Sequence, residues 1–171
     1  LEFEIKTDFT REEADIIEEK YSPLLGQLGK DLRKNIKTME FLKGNYTASA
    51  QYSTDLTYAN ITFHTDWFEN EVETRPDGNK TEEVFIHEAT HLSIDPYVYG
   101  DPAWNVAVNL DGNYISTYAY NNPNSEDIAE TFPAYIAVKY FPDRISSGLK
   151  DTILSLNFNR FKYFDSLNLD L

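Results

Sequence analysis

His87-Glu88-Ala89-Thr90-His91 puts two imidazoles and a carboxylate within five residues. What that set can do depends on the backbone that carries it. On an α-helix each residue advances about 100°, so histidines four apart differ by about 40° around the axis and stand about 6 Å apart along it. Both rings can then reach one metal ion. Glu88 falls on the same side, so its carboxylate can take the proton as a metal-activated water adds to a carbonyl. The spacing is that of a hydrolytic zinc site, with His87 and His91 as ligands and Glu88 as general base.

The surrounding residues support a helix at this point. Phe85, Ala89 and Leu92 form a narrow apolar stripe, while Val84, His87, Glu88 and His91 gather on roughly the opposite side. One face can pack while the other stays available. Upstream, Asn79-Lys80-Thr81-Glu82 offers a cap followed three residues later by glutamate, a helix-start signal.

At 171 residues the chain is long enough for one globular unit with a substantial core, and twelve tyrosines and eleven phenylalanines supply ample apolar area. The net charge of −14 argues against nucleic acid and anionic membrane surfaces as partners and favours basic substrates. No run of about eighteen apolar residues is present, and Leu1-Glu2-Phe3-Glu4-Ile5 does not read as a signal peptide. The absence of an initial methionine suggests a processed or trimmed chain whose targeting segment is not included. Asn45, Asn60 and Asn79 head N-x-Thr sequons, glycan acceptors only in a eukaryotic secretory route. With no cysteine, any transition metal must be held by nitrogen and oxygen. Asp- and Asn-rich loops leave calcium conceivable, but no organised calcium-loop spacing occurs.

Along the chain, Leu1 to Phe9 alternates as a strand, and Thr10-Arg11-Glu12-Glu13 is a capping box opening a helix to about Tyr21, where Pro23 is expected to interrupt before a second helical stretch. Residues 45–68 read as strands. Within them Tyr58 to Thr65 alternates Ala59, Ile61 and Phe63 against Tyr58, Asn60, Thr62 and His64, and could form a sheet edge able to pair with an extended substrate. Arg75 to Asn79 signals a turn, and 95–124 reads as long ordered loops with a turn at Asp111-Gly112-Asn113. A helix capped by Asn124 or Ser125 should run from about Glu126 to Tyr140, kinked at Pro133, with a last helix over roughly 147–164.

Two histidines leave zinc short of a third protein ligand. His64, the only other histidine, lies on a strand face that reads as solvent-directed. Asp95 follows His91 by four residues, where the helix should be ending and turning away. Glu126 and Glu130 are better placed. Two carboxylates four apart on a helix face the same way, one able to ligate and the other to orient a ligand histidine, although a solvated acidic first turn would look the same.

The stretch from Ser116-Thr117-Tyr118-Ala119-Tyr120-Asn121-Asn122-Pro123-Asn124-Ser125 through Glu126-Asp127-Ile128-Ala129-Glu130-Thr131-Phe132 resembles the S-Y-x-x-T-N-x-x-E-x-x-A-E-x-F segment of lethal-factor-like gluzincin metallopeptidases and related secreted bacterial zinc proteases. The resemblance spans Val84 to Tyr140. It implies Glu126 as third ligand, Glu130 as the residue hydrogen-bonding a ligand histidine, and Tyr118 as donor to the developing oxyanion. One extra residue separates tyrosine from glutamate here, so Tyr120 stands as the alternative donor, and aromatic packing is the inert alternative for either. In gluzincins an edge strand also lies over the cleft.

The expected fold is α+β and zincin-like, a single domain over 1–171. Its N-terminal sub-domain, about 1–94, holds a small mixed sheet and the active-site helix; its mainly helical C-terminal sub-domain, about 95–171, returns Glu126 to the metal, with the cleft between them. The expected activity is zinc-dependent hydrolysis of peptide bonds by a secreted, monomeric enzyme acting on peptides or proteins. A zinc hydrolase of other amides or esters would use the same machinery. A non-catalytic binding module, with aromatic segments such as Pro96 to Trp104 making the contacts, would show a closed metal shell or no metal.

Overall fold

A computed structural model describes residues 1–76 and 80–171. The cap and sequon at Asn79 and most of the expected turn at Asp77-Gly78-Asn79 lie outside the described residues. The fold is α+β with a small mixed sheet, and it divides into two compact units, Leu1–Ser93 with Leu171, and Ile94–Asp170. Among the described residues no helix is long and apolar enough to cross a membrane.

In the first unit, β1 (Glu2–Ile5) leads to α1 (Arg11–Gln27), α2 (Lys30–Arg33) and β2 (Thr38–Leu42); β3 (Ser49–Tyr52) and β4 (Ala59–His64) follow, then a short α3 (Thr65–Trp67) running into a π-helical turn (Phe68–Val72), and α4 (Thr81–Ser93). Strand order is β1-β2-β4-β3, with β1, β2 and β4 parallel and β3 antiparallel to β4. The capping box forms as expected: Thr10 N donates to Glu13 Oε2 at 2.6 Å and Glu13 N to Thr10 Oγ1 at 3.3 Å.

Three expectations for this unit are corrected. The first strand stops at Ile5 instead of reaching Phe9. Helix α1 continues through Pro23 to Gln27, because the one backbone hydrogen bond forfeited there is outweighed by burying Tyr21 and Leu25 on either side. Strand β4 is interior, paired with β2 and β3; among the described residues the edge strands are β1 and β3. Asn60 is 8% exposed, its Nδ2 donating to Glu40 Oε2 and Thr62 Oγ1 at 3.2 Å each. The Asn60 sequon is therefore closed to glycosylation in the folded chain. Strand β2, at the centre of the sheet, went unexpected because it is only five residues long and shows just two inward apolar residues, Met39 and Phe41.

The sheet's apolar face is aromatic, and α4 docks on it. Phe85 stacks on Phe63 with ring centroids 4.5 Å apart and planes at 13°, beside Phe68 and Tyr21. Ala89 and Leu92 continue the buried stripe. The C-terminal end of α4 is tied to the segment around α2: Ser93 Oγ donates to the Leu32 carbonyl at 2.7 Å and Asn35 Nδ2 to that of Leu92 at 2.8 Å. These bonds satisfy carbonyls that a helix end leaves open.

The second unit is helical: α5 (Asp95–Val98), α6 (Pro102–Asp111), α7 (Thr117–Asn121), α8 (Asp127–Tyr140), a 3₁₀ turn (Pro142–Arg144) and α9 (Ser147–Ser166). The loops expected over 95–124 are thus mostly helix. Pro102 stands at N1 behind the capping side chain of Asp101, and Gly112, at φ 64°, ends α6 in the left-handed conformation. Proline and glycine here mark the two ends of a helix rather than the body of a loop. Helix α8 runs through Pro133 to Tyr140, and its N-cap is Glu126, without a side-chain cap bond, instead of Asn124 or Ser125.

Within α9, Asn157 leaves helical geometry at φ −135° and ψ 25°. The amides that follow, of Asn159 and Arg160, donate to the Asp111 carboxylate at 2.8 and 3.0 Å. The end of α6 therefore caps the restart of α9 from outside it. Phe164, further along α9, packs against Trp104 and Phe132 with ring centroids 5.3 and 5.0 Å away.

Phe85→Ala should cost about 3–5 kcal/mol of stability, the range for deleting a buried ring, because both the stack on Phe63 and the contact with Phe68 are lost. Urea denaturation of the two proteins measures it; a loss below about 1 kcal/mol would mean that α4 is held in place by something other than this ring.

Candidate metal centre

The histidine helix does what its spacing predicts. His87 and His91 are half-buried on the side of α4 away from Phe85, and their Nε2 atoms lie 3.1 Å apart, rings nearly perpendicular at 84°. Two nitrogens bound tetrahedrally to one zinc at 2.0–2.1 Å would be about 3.3 Å apart. The separation in the structure is close to that. Glu88 is 6% exposed, and Thr90, fully buried, returns its hydroxyl to the Ile86 carbonyl at 2.7 Å.

Glu126 is the N-cap residue of α8, with no side-chain cap bond. One ligand atom from each of His87, His91 and Glu126 lies within 4.8 Å of the others. Two imidazole nitrogens and one carboxylate oxygen are a donor set suited to zinc, three protein ligands being the number a catalytic site uses. Neither Asp95 nor His64 belongs to this group. Asp95 opens α5 and is buried; His64 Nδ1 lies 3.3 Å from the Thr47 carbonyl, its ring edge-on to Tyr46.

The remaining expected residues sit on α7 and α8. Glu130 Oε2 accepts from Ser116 Oγ at 2.6 Å. Ser116 also caps α7, its Oγ accepting from Ala119 N at 3.0 Å, so one hydroxyl joins the tyrosine-bearing helix to α8. Tyr118 and Tyr120 both lie on α7, 53% and 67% exposed, and Tyr120 packs edge-on against Tyr114 at 5.7 Å.

Sequence reasoning gave no role to the groups that hold the start of α8. Asp127, 1% exposed and adjacent to Glu126, accepts from Arg160 Nε and an Nη, both at 3.0 Å on Oδ2. The other Arg160 Nη donates to Asp111 Oδ2 at 3.1 Å and to the Asn113 carbonyl at 2.9 Å. The guanidinium lies between the rings of Trp104 and Tyr114, 5.7 and 5.0 Å from their centroids. Burial pushes the Asp127 carboxyl up from its ordinary value, against the Arg160 charge that favours ionisation. A single arginine beside the aromatic run of α9 was the available sequence signal, but its partners are 33 and 49 residues away.

Comparison with known proteins adds nothing to this geometry: no family model, curated protein or solved structure matches the chain.

Zinc should stabilise the protein measurably. At a free concentration 100 times its Kd, the gain is about 2.7 kcal/mol, a rise in Tm of roughly 5–10 °C for a chain of this size. Calorimetry with and without zinc tests this, with His91→Ala expected to abolish the rise; equal shifts in both proteins would place the binding elsewhere.

Proposed function

We propose that the chain is a secreted, zinc-dependent endopeptidase of gluzincin type on a zincin-like fold. Zinc is held by His87, His91 and Glu126, Glu88 is the general base, and Tyr118 is the oxyanion donor. The observation that carries this reading is the convergence of two Nε2 atoms 3.1 Å apart beside a buried Glu88, with a Glu126 oxygen in the same group. The likeness of the 116–132 stretch to the gluzincin segment supports it.

Zinc, when bound, supplies a Lewis acid that polarises the scissile carbonyl and makes water more acidic. The chain's own residues do the rest. Glu88 accepts the proton of the attacking water and passes it to the leaving amine, so no covalent enzyme intermediate forms. Its burial keeps competing solvent away from that transfer. The Tyr118 hydroxyl donates to the carbonyl oxygen as negative charge grows there, a contribution of about 3 kcal/mol for one such donor. The net charge of −14 draws basic peptides in preference to acidic ones.

Glu88→Gln should keep zinc and slow cleavage of a peptide mixture by about 10²–10⁴-fold, read by mass spectrometry beside a zinc titration. Undiminished cleavage would refute Glu88 as base. Tyr118→Phe should lower kcat about 10²-fold with zinc retained, and Tyr120→Phe should change kcat less than twofold; the reverse ranking would transfer the donor role to Tyr120.

A further inference from the structure

The start of α8 carries three carboxylates, Glu126, Asp127 and Glu130, and Asp127 is the one turned into the core. Asp127 is 1% exposed, with two N–H groups of Arg160 on one of its oxygens and the Thr131 hydroxyl 3.5 Å from the other. Arg160 is itself immobilised: fully buried, bonded to Asp111 and to the Asn113 carbonyl, and stacked between two rings. Asp111 is in turn fastened to α9 by the amides of Asn159 and Arg160. Successive helical residues are about 100° apart, so anchoring Asp127 fixes the roll of the first turn of α8 and with it the bearing of Glu126.

We propose that Asp127 and Arg160 are positioning residues for the metal ligand Glu126: the buried fork sets the direction in which the Glu126 carboxylate leaves α8. The inference rests on the zinc reading above and concerns residues that touch neither metal nor substrate. The guanidinium brings two N–H donors onto one Asp127 oxygen and the Thr131 hydroxyl faces the other, so the carboxylate is held at both of its oxygens rather than at one. Outer groups that orient metal ligands typically change affinity by 10- to 100-fold when removed.

The test is a double-mutant cycle on zinc affinity, measured by competition with a chromophoric chelator on the full chain, with circular dichroism confirming the fold. Asp127→Ala should weaken zinc binding about 10- to 100-fold, and Asp127→Asn, which keeps an acceptor for Arg160, should recover most of it. In a Glu126→Gln background, Asp127→Ala should have almost no further effect, since the ligand it orients is gone. Should the alanine protein fail to fold, Arg160→Lys, which keeps the charge and loses the fork, takes its place in the same cycle. If Glu126→Gln alone leaves zinc affinity unchanged, Glu126 is not a ligand and the positioning role falls with it. If Glu126→Gln weakens binding but the Asp127 change costs nothing, or costs the same factor in both backgrounds, the metal centre stands and the positioning role is overturned.

Discussion

Arg160 takes a permanent positive charge to a place with no solvent exposure, and an isolated ion there would cost many kcal/mol to desolvate. The second unit is arranged so that this cost is met. Two carboxylates face one guanidinium, leaving one negative charge in formal count. Asp127 lies in the first turn of α8, and Asp111 caps the restart of α9; each helix start contributes about half a positive charge. Two such ends nearly cancel the surplus. The broken geometry at Asn157 follows from the same requirement, because an unbroken α9 would have its Asn159 and Arg160 amides engaged within the helix and unable to meet Asp111. Removing one member of a buried ion pair typically costs about 3–5 kcal/mol, as much as deleting a buried ring.

The first unit solves a different problem. Helix α4 must bury one face deeply enough to be rigid while leaving two imidazoles available on the other. Stacked rings serve this well: Phe85 on Phe63 constrains both the position and the tilt of the helix, which aliphatic contact alone does less strictly. Side-chain bonds from Ser93 and Asn35 hold its far end. With roll and end both fixed, the four-residue spacing of His87 and His91 is enough to bring their Nε2 atoms to 3.1 Å. Neither ring needs a large rearrangement before both can face one ion.

The parts of this structure legible in the sequence are those governed by neighbours a few residues away. The apolar stripe of α4, the Thr10–Glu13 capping box and the extents of α8 and α9 all follow from local spacing. What escaped was decided at long range or carried by ambiguous residues. Strand β2 owes its place to pairing with β1 and β4 rather than to its own short pattern. Pro102 and Gly112 speak for a loop as readily as for the ends of α6, and only the packing of Trp104 and Ala107 decides between them. The Tyr58–Thr65 alternation identifies a strand but not its neighbours, and so could not tell an edge from the interior.

The same limit explains why the start of α8 reads from sequence as a plain acidic turn. Glu126, Asp127 and Glu130 are chemically near-identical, yet the structure gives them different surroundings. Glu126 joins the two histidines in one group of ligand atoms, Asp127 meets Arg160, and Glu130 accepts from Ser116. Only their angles around the helix separate these fates. Glu126 and Glu130, four apart, share a side; Asp127, one residue on, is turned by about 100° into the core. A helix that rolled by that amount would exchange the buried and the available carboxylate, with an unpaired Arg160 as the penalty. The ion pair thus holds the first turn of α8 at one roll, with Asp127 turned into the core and Glu126 about 100° away from it.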